Sequence, residues 1–269
     1  MKNPSAFKLM LLFIPLCLLS NCTQEVKEEK ITITSTSENA KQLFLDAYTA
    51  YENGNFTEAL SLLKKSVTED SMFFMGNYNL AMNNFNEPEK FKDYAEKALS
   101  CGDELSEAEK ILQGSLSSLL ENKEAVVTET GKKLVEKYPA DIIAYYTLFG
   151  QQVAAKDNEG QVSTLKEALK IAENPAILYN AMGYAYLGLE MPDSAKVVFD
   201  KYIELKPDKA NPYDSKGDYF MYVKEYKMAV ENFMKAYELD TTFKISLKKA
   251  EKAKMVIDSM VAGEPVIEE

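Results

Sequence analysis

The chain has 269 residues and a formal net charge of −11, with 42 acidic residues set against 31 basic ones. It contains no His, no Trp and no Arg, so every basic residue is Lys. This removes the commonest general base and metal ligand, Ser-His-Asp and Cys-His catalysis, His or multi-Cys zinc sites, and the bidentate guanidinium fork.

The acidic balance also disfavours nucleic acid and anionic lipid as partners. No glycine-rich phosphate loop occurs. These exclusions point to a non-enzyme with no catalytic residues, no metal site and no cofactor.

In chain order, Lys2 and Lys8 precede an apolar run from Leu9 to Leu19. That run is too short for a bilayer-spanning helix, which takes ~20 residues, and it fits the core of a signal peptide over residues 1–21. It ends Leu19-Ser20-Asn21-Cys22, which resembles a bacterial lipobox. The resemblance implies cleavage before Cys22 and a lipid on that cysteine, with Asn21 departing from the usual Gly or Ala. Loss of Lys2 and Lys8 would leave a charge of −13. Thr23 after the cysteine looks like outer-membrane delivery. Glu25, Glu28 and Glu29 resemble the surface-export signals of some Bacteroidetes lipoproteins, although a solvated linker explains them better. The expected location is the cell envelope, as an outer-membrane lipoprotein on the periplasmic side. Residues 22–38, rich in Thr, Ser, Glu and Lys, read as a lipidated Cys followed by a disordered linker. Its sixteen residues after the cysteine would reach ~55 Å at most.

From residue 39 the pattern is helical. The first hairpin carries Ala47, Tyr51, Gly54, Phe56, Ala59, Leu63 and Ser66. The second is degenerate, with helices predicted at 74–85 and 89–100 and Phe91 where a small residue belongs. The third spans 107–121 and 123–138, and the fourth 141–154 and 158–172. The fifth, with helices at 176–190 and 193–205, has Tyr179, Met182, Gly183, Tyr186, Ala195, Phe199 and Pro207. The sixth has Tyr213, Gly217, Phe220, Ala229, Phe233 and Ala236. Gly183 to Gly217, Ala195 to Ala229 and Phe199 to Phe233 share one period of 34 residues. A fixed period of that length marks stacked helical hairpins. The small residues are expected where two helices cross closely.

The pattern resembles the tetratricopeptide repeat, with Tyr202 and Thr241 as departures. The resemblance implies an all-α superhelix of about six helical hairpins over 39–243, a non-catalytic scaffold that binds a protein or peptide. A lone helix over 244–262 would cap it. Its expected inward stripe is Phe243, Leu247, Ala250, Ile257, Met260 and Val261, with the lysines mainly elsewhere. Residues 263–269 form a tail.

In this family the first helix of each hairpin lines the concave face. The implied partner-binding groove comprises Asn180, Tyr184 and Leu187 of the fifth hairpin with Asp214, Asp218, Met221 and Tyr222 of the sixth. Thr147 and Gln151 of the fourth are expected to face the same way. The two acids favour a partner segment carrying Lys or Arg. Cys101, the one cysteine left after processing, reads as a packing residue. The run Ser71–Met75 reads as core. Asp193 and Asp240 sit where helix N-caps are expected; with Asp70 and Asp258 they also begin triplets that resemble a Bacteroidetes O-glycosylation motif. Alternatives to a general scaffold are an outer-membrane assembly factor or pilotin, and a glycan- or solute-binding lipoprotein. The lack of Trp argues against the last.

Overall fold

The computed structural model describes residues 30–102, 104–122 and 127–262. The predicted signal peptide, Cys22 and the tail after Ala262 lie outside them. The described residues form thirteen helices and no strand. They pair as α1 (Glu38–Glu52) with α2 (Phe56–Glu69), α3 (Phe74–Asn83) with α4 (Pro88–Leu99), and α5 (Glu107–Glu121) with α6 (Thr128–Lys137). Then come α7 (Ile142–Ala154) with α8 (Asn158–Ala168), α9 (Ala176–Gly188) with α10 (Pro192–Leu205), and α11 (Ala210–Tyr222) with α12 (Tyr226–Leu239). The thirteenth, α13 (Lys244–Ala262), follows α12 and packs on it. Six hairpins and a final helix are the architecture the 34-residue period predicts.

Local chemistry sets the hairpin turns. Gly54, Lys156, Glu190 and Lys224 all have positive φ, from 55° to 75°. The last three are 34 residues apart. In each turn the following N–H reaches back to a carbonyl of the last helical turn: Asn55 to Ala50, Asp157 to Gln152, Met191 to Tyr186, Glu225 to Phe220. This is the left-handed closure that satisfies orphan carbonyls at a helix C-terminus. Pro192 opens α10, where its missing N–H costs nothing. Asp193 is not the cap of that helix; the N-cap position is Met191, without a side-chain bond. Asp240 ends α12 and accepts from Thr242 instead.

The repeat glycines serve an aromatic ring. A Cβ on Gly183 would meet Phe199 at 2.4 Å, and one on Gly217 would meet Phe233 at the same distance. Each ring fills the notch its glycine leaves, and both are fully buried. Around them Ala195, Ala229, Tyr219 and Phe220 form a C-terminal core with Ala250 and Ala253 of α13. A second core runs through the first four hairpins and includes Phe73, Phe74 and Met75 of the apolar run, with Phe91 tucked against Phe85. Cys101 is buried there, and its thiol is pushed up to about 11 by burial and then by nearby Asp70 and Glu109.

Two features depart from the sequence reading. First, residues 30–37 of the expected disordered linker are an extended strap seated on the array. Ile31 N–H donates to Asp141 at 2.8 Å, and Thr34 donates to Glu109 through both its N–H (2.9 Å) and its hydroxyl (2.6 Å). Asp70 accepts from Ser35 Oγ (2.5 Å) and Thr36 N–H (3.0 Å). Lys30 Nζ donates to the Ala140 carbonyl. Ile31 is buried and Ile33 packs beside it on the core. Composition alone suggested solvation, but alternate residues bury an isoleucine while the hydroxyls meet carboxylates. Burial opposes ionisation of Asp70, yet the bonds from Ser35 and Thr36 hold its carboxyl below the usual range.

Second, α13 is rotated from its predicted stripe. Ser246, Ala250 and Ala253 face inward, whereas Met260 and Val261 are exposed. Lys249, expected on the outer face, turns in, for the reason given below.

Candidate partner-binding channel

The superhelix closes on itself. The turn between α1 and α2 reaches the fourth to sixth hairpins: Tyr146 Oη donates to Glu52 at 3.1 Å, and Asn174 Nδ2 donates to the Glu52 carbonyl at 3.1 Å and to Asn53 Oδ1 at 3.2 Å. Lys206 Nζ also donates to Asn53 Oδ1, at 3.4 Å. Gly54 lies so near Tyr202 that a Cβ would stand 3.1 Å from its hydroxyl. Tyr48 and Tyr51 meet the ring of Tyr146 at 6.0 and 5.6 Å. Burial pushes the Tyr51 phenol up to about 12 and raises Tyr48 and Tyr146 as well; Tyr48 donates to Asn79 and Tyr146 to Glu52. Burial raises the Glu52 carboxyl, against the bond from Tyr146.

Closure leaves a channel lined by residues of α1, α2, α3, α7, α8 and α9. One lobe, of about 470 Å³, is walled by residues including Tyr48, Tyr51, Phe56, Met82, Phe85 and Phe149. The second, of about 460 Å³, is lined by Asn158, Gln161, Ile177, Asn180, Ala181 and Tyr184. The lobes adjoin, sharing Tyr51, Phe149, Val153 and Lys156; the first, aromatic lobe also carries Asn79, Asn83 and Asn86, and the second is proportionately richer in amides. Phe56, Leu60, Val153 and Tyr184 are large apolar side chains that stay exposed around them.

The sequence-predicted groove is split by this arrangement. Asn180 and Tyr184 line the amide-rich lobe, and Thr147 lines the aromatic one. Gln151 turns away; it accepts from Gly131 N–H at 3.0 Å and donates to Tyr78 at 3.2 Å, tying α6 to α7 and α3. Leu187 and Met221 pack on the C-terminal core. Tyr222 is exposed but lines neither lobe. Asp214 and Asp218 are engaged by α13. Lys249 Nζ lies 2.8 Å from a carboxylate oxygen of each. Asp214 also accepts from Ser246 at 2.6 Å, and Asp218 from Tyr184 at 2.9 Å. Burial alone would lower Lys249, but the two carboxylates hold its ammonium up. Burial, with Asp214 nearby, raises Asp218 despite Lys249. The acids thus hold the final helix in place. Sequence reasoning missed the aromatic lobe, which gathers Tyr48, Tyr51, Tyr146 and Phe149. Their convergence on one cavity depends on the first hairpin meeting the fourth, and no local pattern encodes that meeting.

Among the described residues no group of three or more Cys, Asp or Glu side chains is placed to hold a metal ion. No described helix is long and apolar enough to cross a membrane.

Comparison with known proteins agrees with the geometry. The tetratricopeptide repeat model matches residues 176–209 and 210–243, the fifth and sixth hairpins. A thermophilic TPR protein of Thermus thermophilus, TTC0263, superposes with a TM-score of 0.50 at 18% identity, covering 80% of this chain and 99% of that one. YrrB, described as a TPR protein with an unusual peptide-binding site, gives 0.44 at 18% identity, over 70% of this chain and 97% of that one. MamA from Desulfovibrio magneticus RS-1 gives 0.41 at 18% identity, over 78% and 99%. No curated protein matches the chain. The chain therefore carries two tetratricopeptide repeats within an all-α superhelical fold.

Proposed function

From two tetratricopeptide repeats in a closed superhelix, we propose that the protein is a non-catalytic scaffold that takes an extended segment of a protein partner into its channel. One observation carries the reading: Phe56, Leu60, Val153 and Tyr184 remain exposed around two adjoining cavities that Val153 borders in common. Contiguous exposed apolar surface marks an interaction site, and aromatic side chains anchor interfaces through large, rigid contact area. Capture of partners on the immobilised array, compared with a Val153→Trp array in which the border of the two lobes is obstructed, tests it. Equal partner sets on both would overturn it.

The lipobox-like Leu19–Cys22 supports a finer reading, an envelope scaffold anchored by lipid on Cys22. Cys22→Ala should then move the protein from the membrane to the soluble fraction and abolish palmitate labelling. Equal labelling of both forms would overturn the anchor. The acids at Asp214 and Asp218 are paired with Lys249, which leaves them little capacity to attract a basic partner segment.

A further inference from the structure

The first lobe is chemically unlike the rest of the molecule. The chain carries 42 acidic residues, yet among the described residues no carboxylate lines this lobe. The charged residue that borders it, Lys156, is exposed on the turn between α7 and α8. Four rings meet in its wall: Tyr51 stands 5.5 Å from Phe56 and 5.6 Å from Tyr146, both edge to face, and Tyr48 lies 6.0 Å from Tyr146. Phe56, Leu60 and Val153 of the same wall remain exposed, so the lobe is open to entry. Its volume of about 470 Å³ is about three times that of the ~150 Å³ apolar cavity that accepts one benzene ring.

Hydrogen bonding in that wall is uneven. Tyr48 spends its hydroxyl on Asn79 at 3.2 Å, and Tyr146 on Glu52 at 3.1 Å. Amide hydrogens of Asn79 and Asn83 go back to carbonyls of α3, at 2.9 Å each. Two hydroxyls are left over. Thr147 is more than nine-tenths buried and lines the lobe, and its Oγ1 has no hydrogen-bond partner among the described residues. The same holds for Tyr51 Oη, on a less buried residue. Among the described residues, the buried side-chain atoms sealed off without a partner belong to Asn77, Gln152 and Asn180. The Thr147 hydroxyl is not one of these, so it is unpaired and yet accessible. A donor left unspent in a largely apolar wall is unfavourable until an acceptor reaches it.

We propose that the first lobe binds a neutral, mostly apolar small molecule of about two or three rings, whose carbonyl or hydroxyl oxygen accepts from Thr147 or Tyr51. Small-molecule sites combine this size with an apolar wall and a few placed polar groups. Edge-to-face contact with Tyr51, Phe56 and Tyr146 suits an aromatic body. A charged molecule is disfavoured, because it would give up hydration without gaining a countercharge. The inference goes beyond the scaffold reading and needs no protein partner, so the two stand or fall separately.

The test uses two fluorescent probes on the full chain in detergent-free buffer. Prodan is a neutral dimethylaminonaphthalene whose propionyl ketone shifts its emission to the red when it accepts a hydrogen bond. The second probe carries a sulfonate in place of that ketone. Wild type should bind a single Prodan per chain, about tenfold more tightly than the sulfonate. Leu60 lines the first lobe and not the second, so Leu60→Trp should weaken Prodan about tenfold by filling its site. Thr147→Val combined with Tyr51→Phe keeps the shape of the wall and removes both hydroxyls. It should move the bound emission to the blue and weaken binding about fivefold. Equal or tighter binding of the sulfonate would overturn the neutral class. Undiminished Prodan binding by Leu60→Trp would overturn the site, and unshifted emission in the double variant would overturn the hydroxyl contact. Absence of saturable Prodan binding by wild type would overturn the proposal as a whole, while leaving partner capture, which is measured without dye, to its own test.

Discussion

The two halves of the array solve the same packing problem in different ways. In the fifth and sixth hairpins each helix pair is locked by one ring over one glycine, Phe199 on Gly183 and Phe233 on Gly217. The first four have no such uniform device. Phe91 fills the place of a small residue, an extended strap crosses three hairpins, and side chains from distant units interlock. Regular repeats stack on nearest neighbours alone and give a quasi-one-dimensional solenoid. The irregular half forms contacts across 94 to 153 residues, and most of the channel wall comes from it. Regularity builds the scaffold here, and departures from it build the site.

The sharpest way to break this contrast is to cut one half and watch the other. Phe199→Ala should cost about 3–5 kcal/mol and split thermal unfolding into two transitions, with α9–α13 melting first. A single transition in calorimetry would show that the halves are one cooperative unit. Removing residues 30–37 should act in the opposite sense. It strips bonds to three carboxylates and the burial of Ile31, at a cost of about 2–4 kcal/mol, and should raise hydrogen exchange in α3, α5 and α7 while leaving α11 and α12 protected.

Lys249→Met addresses the end cap. It leaves buried Asp214 without its cation, and since Lys249 is about one-third exposed the expected loss is about 2 kcal/mol, with increased exchange confined to α11–α13. Melting measured against pH should separate the halves again. Asp70 is depressed in the folded state, so its stabilisation is present above the unfolded value of 3.8 and lost as pH falls below it. The strap should therefore release on the acid side. Lys249 is raised, so its stabilisation is present below the unfolded value of 10.5 and lost as pH climbs past it. The cap should release on the alkaline side. On the acid side Asp218, raised in the folded state, loses its charge before Asp70 does, so the alkaline arm is the discriminating one: release of the strap together with the cap there would refute the separate anchors. The smallest change is Tyr146→Phe, which removes the bond to Glu52 and should cost about 1 kcal/mol while loosening the first hairpin against the fourth.

What the sequence disclosed follows the same division. The 34-residue period placed the two helices of the fifth hairpin within two residues of α9 and α10, because ring and glycine are local partners at fixed spacing. One helix end in the fourth hairpin was placed too late: α8 stops at Ala168, not at residue 172. Asn180 and Tyr184 share one cavity wall because, four residues apart on α9, they lie on one face of the helix. The pairing of Asp214 and Asp218 with Lys249 was hidden, since it depends on the rotation of α13 rather than on its pattern. The strap was hidden too, because serines and threonines look solvated until three carboxylates are brought into line by folding.

That strap alters what an anchor at Cys22 would mean. Residue 30 is held beside Ala140, so only seven residues, eight Cα steps, separate the array from the proposed lipid. Their fully extended reach is ~29 Å at most, against ~55 Å for the longer linker expected from composition. A body on so short a leash cannot tumble freely above a bilayer. The edge where α6 meets α7 would lie nearest the lipid headgroups, and the mouth of the channel would keep a limited range of bearings. Partner segments would then be met mainly by lateral diffusion in the membrane plane, and the strap would set the compass heading of the whole receptor.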